Sequence, residues 1–342
     1  MNVSLQTTRR ATALAPGLVV LGAALALAAF LSVTQGSRSI GLSEVLHALG
    51  SWNDDGSIGS TVTLEMRVPR TLLGILVGAA LGVAGAILQG VTRNPLADAG
   101  IMGINSGAAV FVVSAVTVLG VSGVEVYIWF AFAGAIGALV LVYAVASLGR
   151  EGATPVKLAL AGAAVTAGLG SLTTGIVMTN VDALNELRFW QVGSLAGRYA
   201  PILTAVAPFL LLGLLASLAF GRTLNGLALG EDVARGLGQR VGLTRAAAFG
   251  VVALLAGAST AACGPIIFVG LVVPHVARFL CGPDYRWIIP YSMLLSPIVL
   301  LLADVVGRVI VAPDELQVGV VLGLIGAPVF VGIVRYGRLS EK

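Results

Sequence analysis

Few side chains in this chain could do chemistry, and their scarcity is itself informative. Only 11% of the 342 residues are charged, and two histidines and two cysteines complete the reactive set. Asp304 and Arg308 stand four apart, the spacing at which helical side chains meet and can pair. A role for Arg308 at the outer surface is the rival reading. His275 directly follows Pro274 in an apolar run, where it could relay protons or sit as a packed polar residue. Gln89 is also surrounded by apolar residues. It needs a partner or water, so it either lines a translocation route or completes a hydrogen bond between helices. Cys263 and Cys281 lie in or beside apolar stretches, without the spacing or company of a disulfide framework or metal site. The two lysines, Lys157 and Lys342, lie in no GxxxxGK[ST] loop, so no P-loop ATPase is fused here. If ATP drives this protein, a separate subunit hydrolyses it. A membrane-embedded enzyme would need ionisable groups converging at one depth, which Asp304 and His275 alone do not supply. No catalytic residue is expected, and no cofactor or metal bound by this chain.

The elements that must carry these residues are read from hydrophobic spacing. Apolar residues make up 57% of the chain and mean hydropathy is +0.99, against about 45–50% apolar for a soluble domain. The expected fold class is all-α, a polytopic integral membrane protein with about ten transmembrane helices at ~20 residues each. They run roughly over 13–32, 71–90, 100–119, 127–147, 158–179, 201–220, 246–262, 266–281, 288–307 and 317–334. The first follows Arg9 and Arg10 and ends in no clear cleavage site, so it reads as a retained helix. The Gly264–Pro265 break separates two spans, kinks one long helix or makes a re-entrant turn. Gly74, Gly78 and Gly82 share one helix face, with Gly85 and Gly90 beyond, and Gly319 and Gly323 repeat the device. Such faces let another helix approach closely. Asn94–Pro95 reads as a turn, and Pro274 should bend its helix.

The longest charged connection, 221–245, reads as a cytoplasmic loop of one or two short amphipathic helices within a single domain spanning 1–342. Leu227, Leu229, Val233, Ala234 and Leu237 supply its apolar face; Glu231, Asp232, Arg235 and Arg240 supply its edges. A helix lying on anionic lipid would be richer in basic residues, so the mixed signs favour docking of a cytoplasmic protein. With the N-terminus inside, fourteen of the twenty basic residues fall inside: Arg9, Arg10, Arg93, Arg150, Lys157, Arg222, Arg235, Arg240, Arg245, Arg278, Arg286, Arg335, Arg338 and Lys342. Most acids fall outside, among them Glu44, Asp54, Asp55, Glu65, Glu125, Asp182, Glu186, Asp314 and Glu315. The asymmetry places both termini in the cytoplasm. It also accounts for the formal charge of +4 without nucleic-acid binding.

Several blocks, in order along nearly the whole chain, resemble the ABC importer permeases of the iron–siderophore, haem and vitamin B12 type. They are Arg67-Val68-Pro69-Arg70, the RNPLA block from Arg93 to Ala97, Trp190 with Gly193-Ser194-Leu195 and Gly197, Leu227 to Gly238, and GPIIFVGLVVPHVAR ending at Arg278. Three residues depart from the family pattern: Ile267 stands where a glycine is usual, Tyr285 where a histidine is, and Gln317 where a proline is. The resemblance implies a non-catalytic permease in a bacterial cytoplasmic membrane, paired with a second permease subunit, identical or different. Two cytoplasmic ABC ATPase subunits would consume the ATP, and an extracytoplasmic binding protein would deliver the cargo. That cargo would be an iron chelate, a ferric siderophore first, with haem or cobalamin as alternatives. By the same resemblance Leu229, Gly230, Glu231, Ala234, Leu237 and Gly238 couple to the ATPase. Arg67, Arg70 and Arg308 would dock the binding protein, and Gln89, Asn94, Pro95, Gly264, Pro265, Pro274 and His275 belong to the path or gate. An ion-driven secondary carrier is the rival; it would place acids or a broken helix at midplane, where this sequence has few acids.

Overall fold

The computed structural model of the chain describes residues 3–52, 56–121, 123–148 and 153–337. Asp54, Asp55, Arg150, Arg338 and Lys342, which enter the charge asymmetry, lie outside the described residues, as do the side chains of Arg9 and Arg10. Among the described residues the regular elements are all helical. They are α1 (Val3–Thr34), α2 (Leu42–Ser51), α3 (Ile58–Thr61), α4 (Val68–Thr92), α5 (Ile104–Leu119), α6 (Val124–Ala146), α7 (Pro155–Val177) and α8 (Val181–Gln191). There follow α9 (Ala200–Ser217), α10 (Phe220–Ala228), α11 (Glu231–Gly236), α12 (Val241–Cys263), α13 (Val269–Cys281), α14 (Tyr285–Ile310) and α15 (Val318–Gly337). A π-helical stretch, Val62–Arg67, runs α3 into α4.

Each apolar run of the sequence falls on one helix, but the helices are not of equal reach. Seven described stretches are long and apolar enough to cross a membrane: Leu14–Thr34, Ile58–Thr92, α6, α7, α9, α12 and α14. Helices α5, α13 and the apolar part of α15, Val318–Gly332, are shorter.

Helix α4 is apolar on every side, and such a helix belongs at the centre of a bundle. Of its apolar window 83% is buried, against 17% for α7 and 6% for α1. Its glycine face accounts for the packing. A Cβ at Gly78 would lie 2.6 Å from the Pro297 Cα of α14, and one at Gly85 would overlap the Gly270 carbonyl of α13. Gly319 is likewise pressed against the Val192 carbonyl, whereas Gly323 has open space where a side chain would go. The expected close-packing face of the last span therefore holds within this chain at Gly319 and not at Gly323.

The two ends of the bundle are built differently. At the end where α4 begins, the segment 35–67 folds back as α2, α3 and the π-helical stretch, and α8 lies across the connection between α7 and α9. Asn180 starts α8 by accepting a hydrogen bond from the Ala183 N–H at 2.9 Å, and Trp190 is fully buried. At the other end, α10 packs near Gly90, the last turns of α4. Helix α10, which starts one residue earlier at Phe220, and helix α11 occupy the 221–245 segment, but α12 already begins at Val241. The last residues of that segment belong to a spanning helix, not to a loop.

Candidate functional site

At the end where α4 begins, three arginines are held inside the protein. Arg67 is 5% exposed and donates to the carbonyls of Val33 at 3.0 Å, Thr34 at 2.8 Å and Arg38 at 2.6 Å. The last carbonyls of a helix have no partner within it, and Arg67 satisfies them for α1. One turn on, Arg70 grips Asp304 with Nε at 3.1 Å and Nη2 at 2.7 Å, and reaches Glu315 with Nη1 at 2.7 Å. Arg308, 2% exposed, meets the same Asp304 at 3.1 Å and donates to the carbonyls of Ser32 and Gln35, each at 2.9 Å. Ser37 donates to the second oxygen of Glu315 at 3.0 Å. This network ties α1, α4, α14 and the 311–317 turn together. Burial would raise the Glu315 carboxyl, but the Arg70 guanidinium beside it wins and holds it below the usual carboxylate range. The sequence flagged the spacing of Asp304 and Arg308; it gave no signal that Arg70, far away in the chain, shares the carboxylate.

Beside the segment that follows α8, a helix long enough to cross the membrane ends and the chain turns back into the bundle. Helix α12 ends at Cys263, residues 264–268 are not helical, and α13 starts beside Gly85, well inside α4. Of the alternatives the sequence left open, the structure has two helices joined by an extended turn. Gly264 has φ 73°, a left-handed conformation that disfavours side chains, and a Cβ there would strike the Trp190 carbonyl. The Ser194 N–H donates to the Cys263 carbonyl at 2.7 Å, so the segment after α8 stabilises the broken end. Pro265 packs its carbonyl against Gly193. Ile267, one of the departures, is partly exposed, and Phe268 at φ 70° lays its side chain on Gly326 of α15.

Pro274 has no N–H to give the Gly270 carbonyl four residues earlier. Gln89 of α4 fills the gap: its Nε2 donates to the carbonyls of Gly270 at 3.3 Å and Leu271 at 3.2 Å. Its Oε1 accepts from Arg278 at 2.8 Å, and Gln89 is 2% exposed. In this conformation it bonds α4 to α13. Tyr285, another departure, accepts from Arg278 at 3.3 Å and has its ring beside the guanidinium. His275 is half-buried, with Nδ1 3.0 Å from the Leu271 carbonyl and no acid bonded to it among the described residues.

At the opposite end Arg93 ends α4 at φ 49°, and Asn94 Oδ1 accepts from the Leu96 N–H at 2.9 Å, closing an exposed turn through Pro95. Asp98 accepts from the Gly100 N–H at 3.0 Å; burial pushes its carboxyl up, and the backbone N–H groups of Gly100 and Ala99 pull part of the way back. The amphipathic pair α10 and α11 divides its apolar residues. Leu227 and Ala234 are buried, while Leu229, Val233 and Leu237 are 66%, 48% and 65% exposed. Gly230 at φ 109° and Gly238 at φ 79° set the turns on either side of α11. Glu231 bonds Arg245 of α12 at 2.5 Å, and Arg245 also donates to the Ala153 carbonyl before α7 at 3.1 Å. Asn225 of α10 donates to Asp284 at 2.6 Å and accepts from the Tyr285 N–H at 2.8 Å. The Asp284 carboxyl, raised by burial but lowered more by Arg286 and Asn225, lies below the usual range. Arg245, Asn225 and Asp284 were not singled out in the sequence; a charged residue four positions into an apolar helix was the available signal for Arg245.

The site thus has two parts: an arginine-rich end and a mixed-charge end with bare leucines, joined by a broken helix pair. Among the described residues no group of His, Cys, Asp and Glu could hold a metal ion, and Cys263 and Cys281 are free and buried. A model of the FecCD transport family matches residues 24–336. The ferric enterobactin transport system permease protein FepD of Escherichia coli is 44% identical over 94% of each chain. The probable siderophore transport system permease protein YfiZ of Bacillus subtilis is 42% identical over 90% of this chain and 91% of its own. A solved structure described as an inward-facing ABC transporter of metal-chelate type superposes with a TM-score of 0.81 at 28% identity, covering 93% of this chain and 98% of that one.

Proposed function

Because the chain belongs to the FecCD transport family, we propose that it moves an iron chelate, a ferric siderophore first, through the membrane as the permease subunit of an ABC importer. It is a non-catalytic transmembrane subunit. The observation that carries the reading is the match to siderophore permeases over nearly the whole of each chain, and the exposed leucines that cap α10 and α11, Leu229 and Leu237, support it. Those leucines, rimmed by Glu231, Asp232 and Arg235, form the face on which a cytoplasmic ATPase subunit docks.

In this reading the ten apolar helices all cross the membrane, α5, α13 and α15 included, with both termini in the cytoplasm. The arginine-rich end then faces the binding protein. Arg67, Arg70 and Arg308 serve the docking face by holding its backbone and its carboxylates in place. A second permease subunit completes the path. ATP binding in the partners moves α10 and α11, and the ion pair from Glu231 through Arg245 passes that movement to α12 and to the start of α7. The Gln89–Arg278–Tyr285 link carries it from α14 to α4 and α13. Two packed arrangements of rigid helices, open to one side or the other, are enough to move the chelate without chemistry on it. A short helix that starts in mid-bundle is also what a secondary carrier would show, but that reading leaves the α10–α11 face without a partner.

The test is uptake into vesicles holding this permease with its ATPase and binding protein. Labelled ferric siderophore, haem and cobalamin are each offered with ATP and with a non-hydrolysable analogue. ATP-dependent entry of the siderophore supports the reading. Entry of haem or cobalamin instead changes the cargo, and uptake that ignores ATP but follows an ion gradient sinks it.

A further inference from the structure

The arginine-rich end holds a partly open pocket of about 240 Å³, whose charged lining is Arg38, Arg67, Arg70, Arg198, Arg308 and Glu315. Five guanidinium groups thus face two carboxylates, Glu315 on the wall and Asp304 behind Arg70 and Arg308. Arg67, Arg70 and Arg308 are already spent on internal partners. Arg38 and Arg198 differ from them: among the described residues neither is bridged to a carboxylate. The Tyr127 phenol is the neutral neighbour of the Arg198 side chain, in hydrogen-bonding reach of it, and leaves its positive charge uncompensated. Both side chains line the pocket, whose guanidinium groups outnumber the carboxylates near them.

We propose that this cavity is an anion site in which Arg38 and Arg198 take a carboxylate or catecholate oxygen of the chelate itself, so that the permease favours anionic over neutral ferric chelates. The inference rests on the reading that this end faces the side from which the chelate arrives. Ferric iron is bound by hard, charged oxygen donors. Hydroxamates can match its charge and leave a neutral chelate, whereas carboxylates and catecholates leave negative charge over. The guanidinium fork suits such paired oxygens. The volume also fits. At ~30 Å³ per liquid water it exceeds what one acidic side-chain tip from a docked protein would fill. It falls just short of the roughly 300–1,000 Å³ of whole-ligand sites, leaving room for one anionic arm of a chelate.

The experiment uses the complete permease–ATPase complex in lipid nanodiscs, without binding protein, and titrates it with iron-free citrate as the probe. Expected is saturable binding that weakens with added salt, as exposed charge interactions do. It should weaken about tenfold further in Arg198→Gln, the worth of one charge-assisted hydrogen bond. Arg38 is exposed, so Arg38→Gln tests the same site without endangering the fold and should also weaken binding. No citrate binding, or binding equal in wild type and both variants, overturns the proposal. So does the case in which the variants bind citrate normally but lose capture of the binding protein, because the arginines then serve that protein's carboxylates. Citrate binding is an equilibrium read without ATP, so it stands or falls separately from chelate uptake.

Discussion

Asp304 carries two arginines on one carboxylate, and it is 1% exposed. Removing one partner of a buried ionic cluster leaves the other charges without compensation, which costs about 3–5 kcal/mol. Asp304→Asn should therefore lower the thermal unfolding midpoint sharply and reduce the protein recovered from membranes; a midpoint equal to wild type would refute the shared-carboxylate account. Glu315 sits nearer the surface and is the milder partner. Its folded-state pKa is depressed by Arg70. Its contribution to stability is thus fully present above the ordinary carboxylate value of about 4.3 and fades as pH falls through the lower native value. Unfolding midpoints followed from neutral to acid pH should drop in wild type and drop less in Glu315→Gln. Parallel curves would show that Glu315 is not the titrating group.

At the scale of elements, packing distances separate glycines that look alike in the sequence. Gly85 faces the backbone carbonyl of Gly270, which cannot step aside as a flexible side chain would, whereas Gly323 has nothing within 4 Å. Gly85→Ala should force α4 and α13 apart and destabilise the protein by roughly 1–3 kcal/mol. Gly323→Ala should leave the unfolding midpoint of the isolated chain unchanged. If the two variants behave alike, the packing account of α4 is wrong. The short helices make a second contrast. Leu229 and Leu237, directly after α10 and α11, are exposed, so replacing both with glutamate costs no core packing. The double variant should keep its unfolding midpoint and lose co-purification of the ATPase subunit; retained capture would move the docking face elsewhere.

For the whole molecule, the expectation is opposite placement of the two ends. Ser39 lies on the arginine-rich side and Gly236 at the end of α11, both exposed, and the native cysteines are buried. A membrane-impermeant thiol reagent added to intact cells should label Ser39→Cys, and should label Gly236→Cys only after the membrane is opened. The reverse pattern would turn the chain over and put the leucine face outside the cell.

The sequence by itself determined the fold class and the helices that make it. Runs such as 71–90 and 288–307 have no way to satisfy their backbone in lipid except as helices, so hydropathy located them as α4 and α14 to within a few residues. The blocks around Arg93–Ala97 and Gly264–Arg278 likewise carried the family without coordinates. Helices α2 and α8 were not legible, because their short amphipathic stretches are held by contacts with distant segments rather than by an apolar period of membrane length. The tertiary structure alone decided which polar groups meet. Arg70 reaches Asp304 across 234 positions and Arg278 reaches Gln89 across 189. No local spacing encodes such pairs, since they exist only once the glycine face of α4 lets α13 and α14 close upon it. That closure turned Arg67, Arg308 and Gln89 inward and left Arg38 and Arg198 without carboxylate partners beside the cavity.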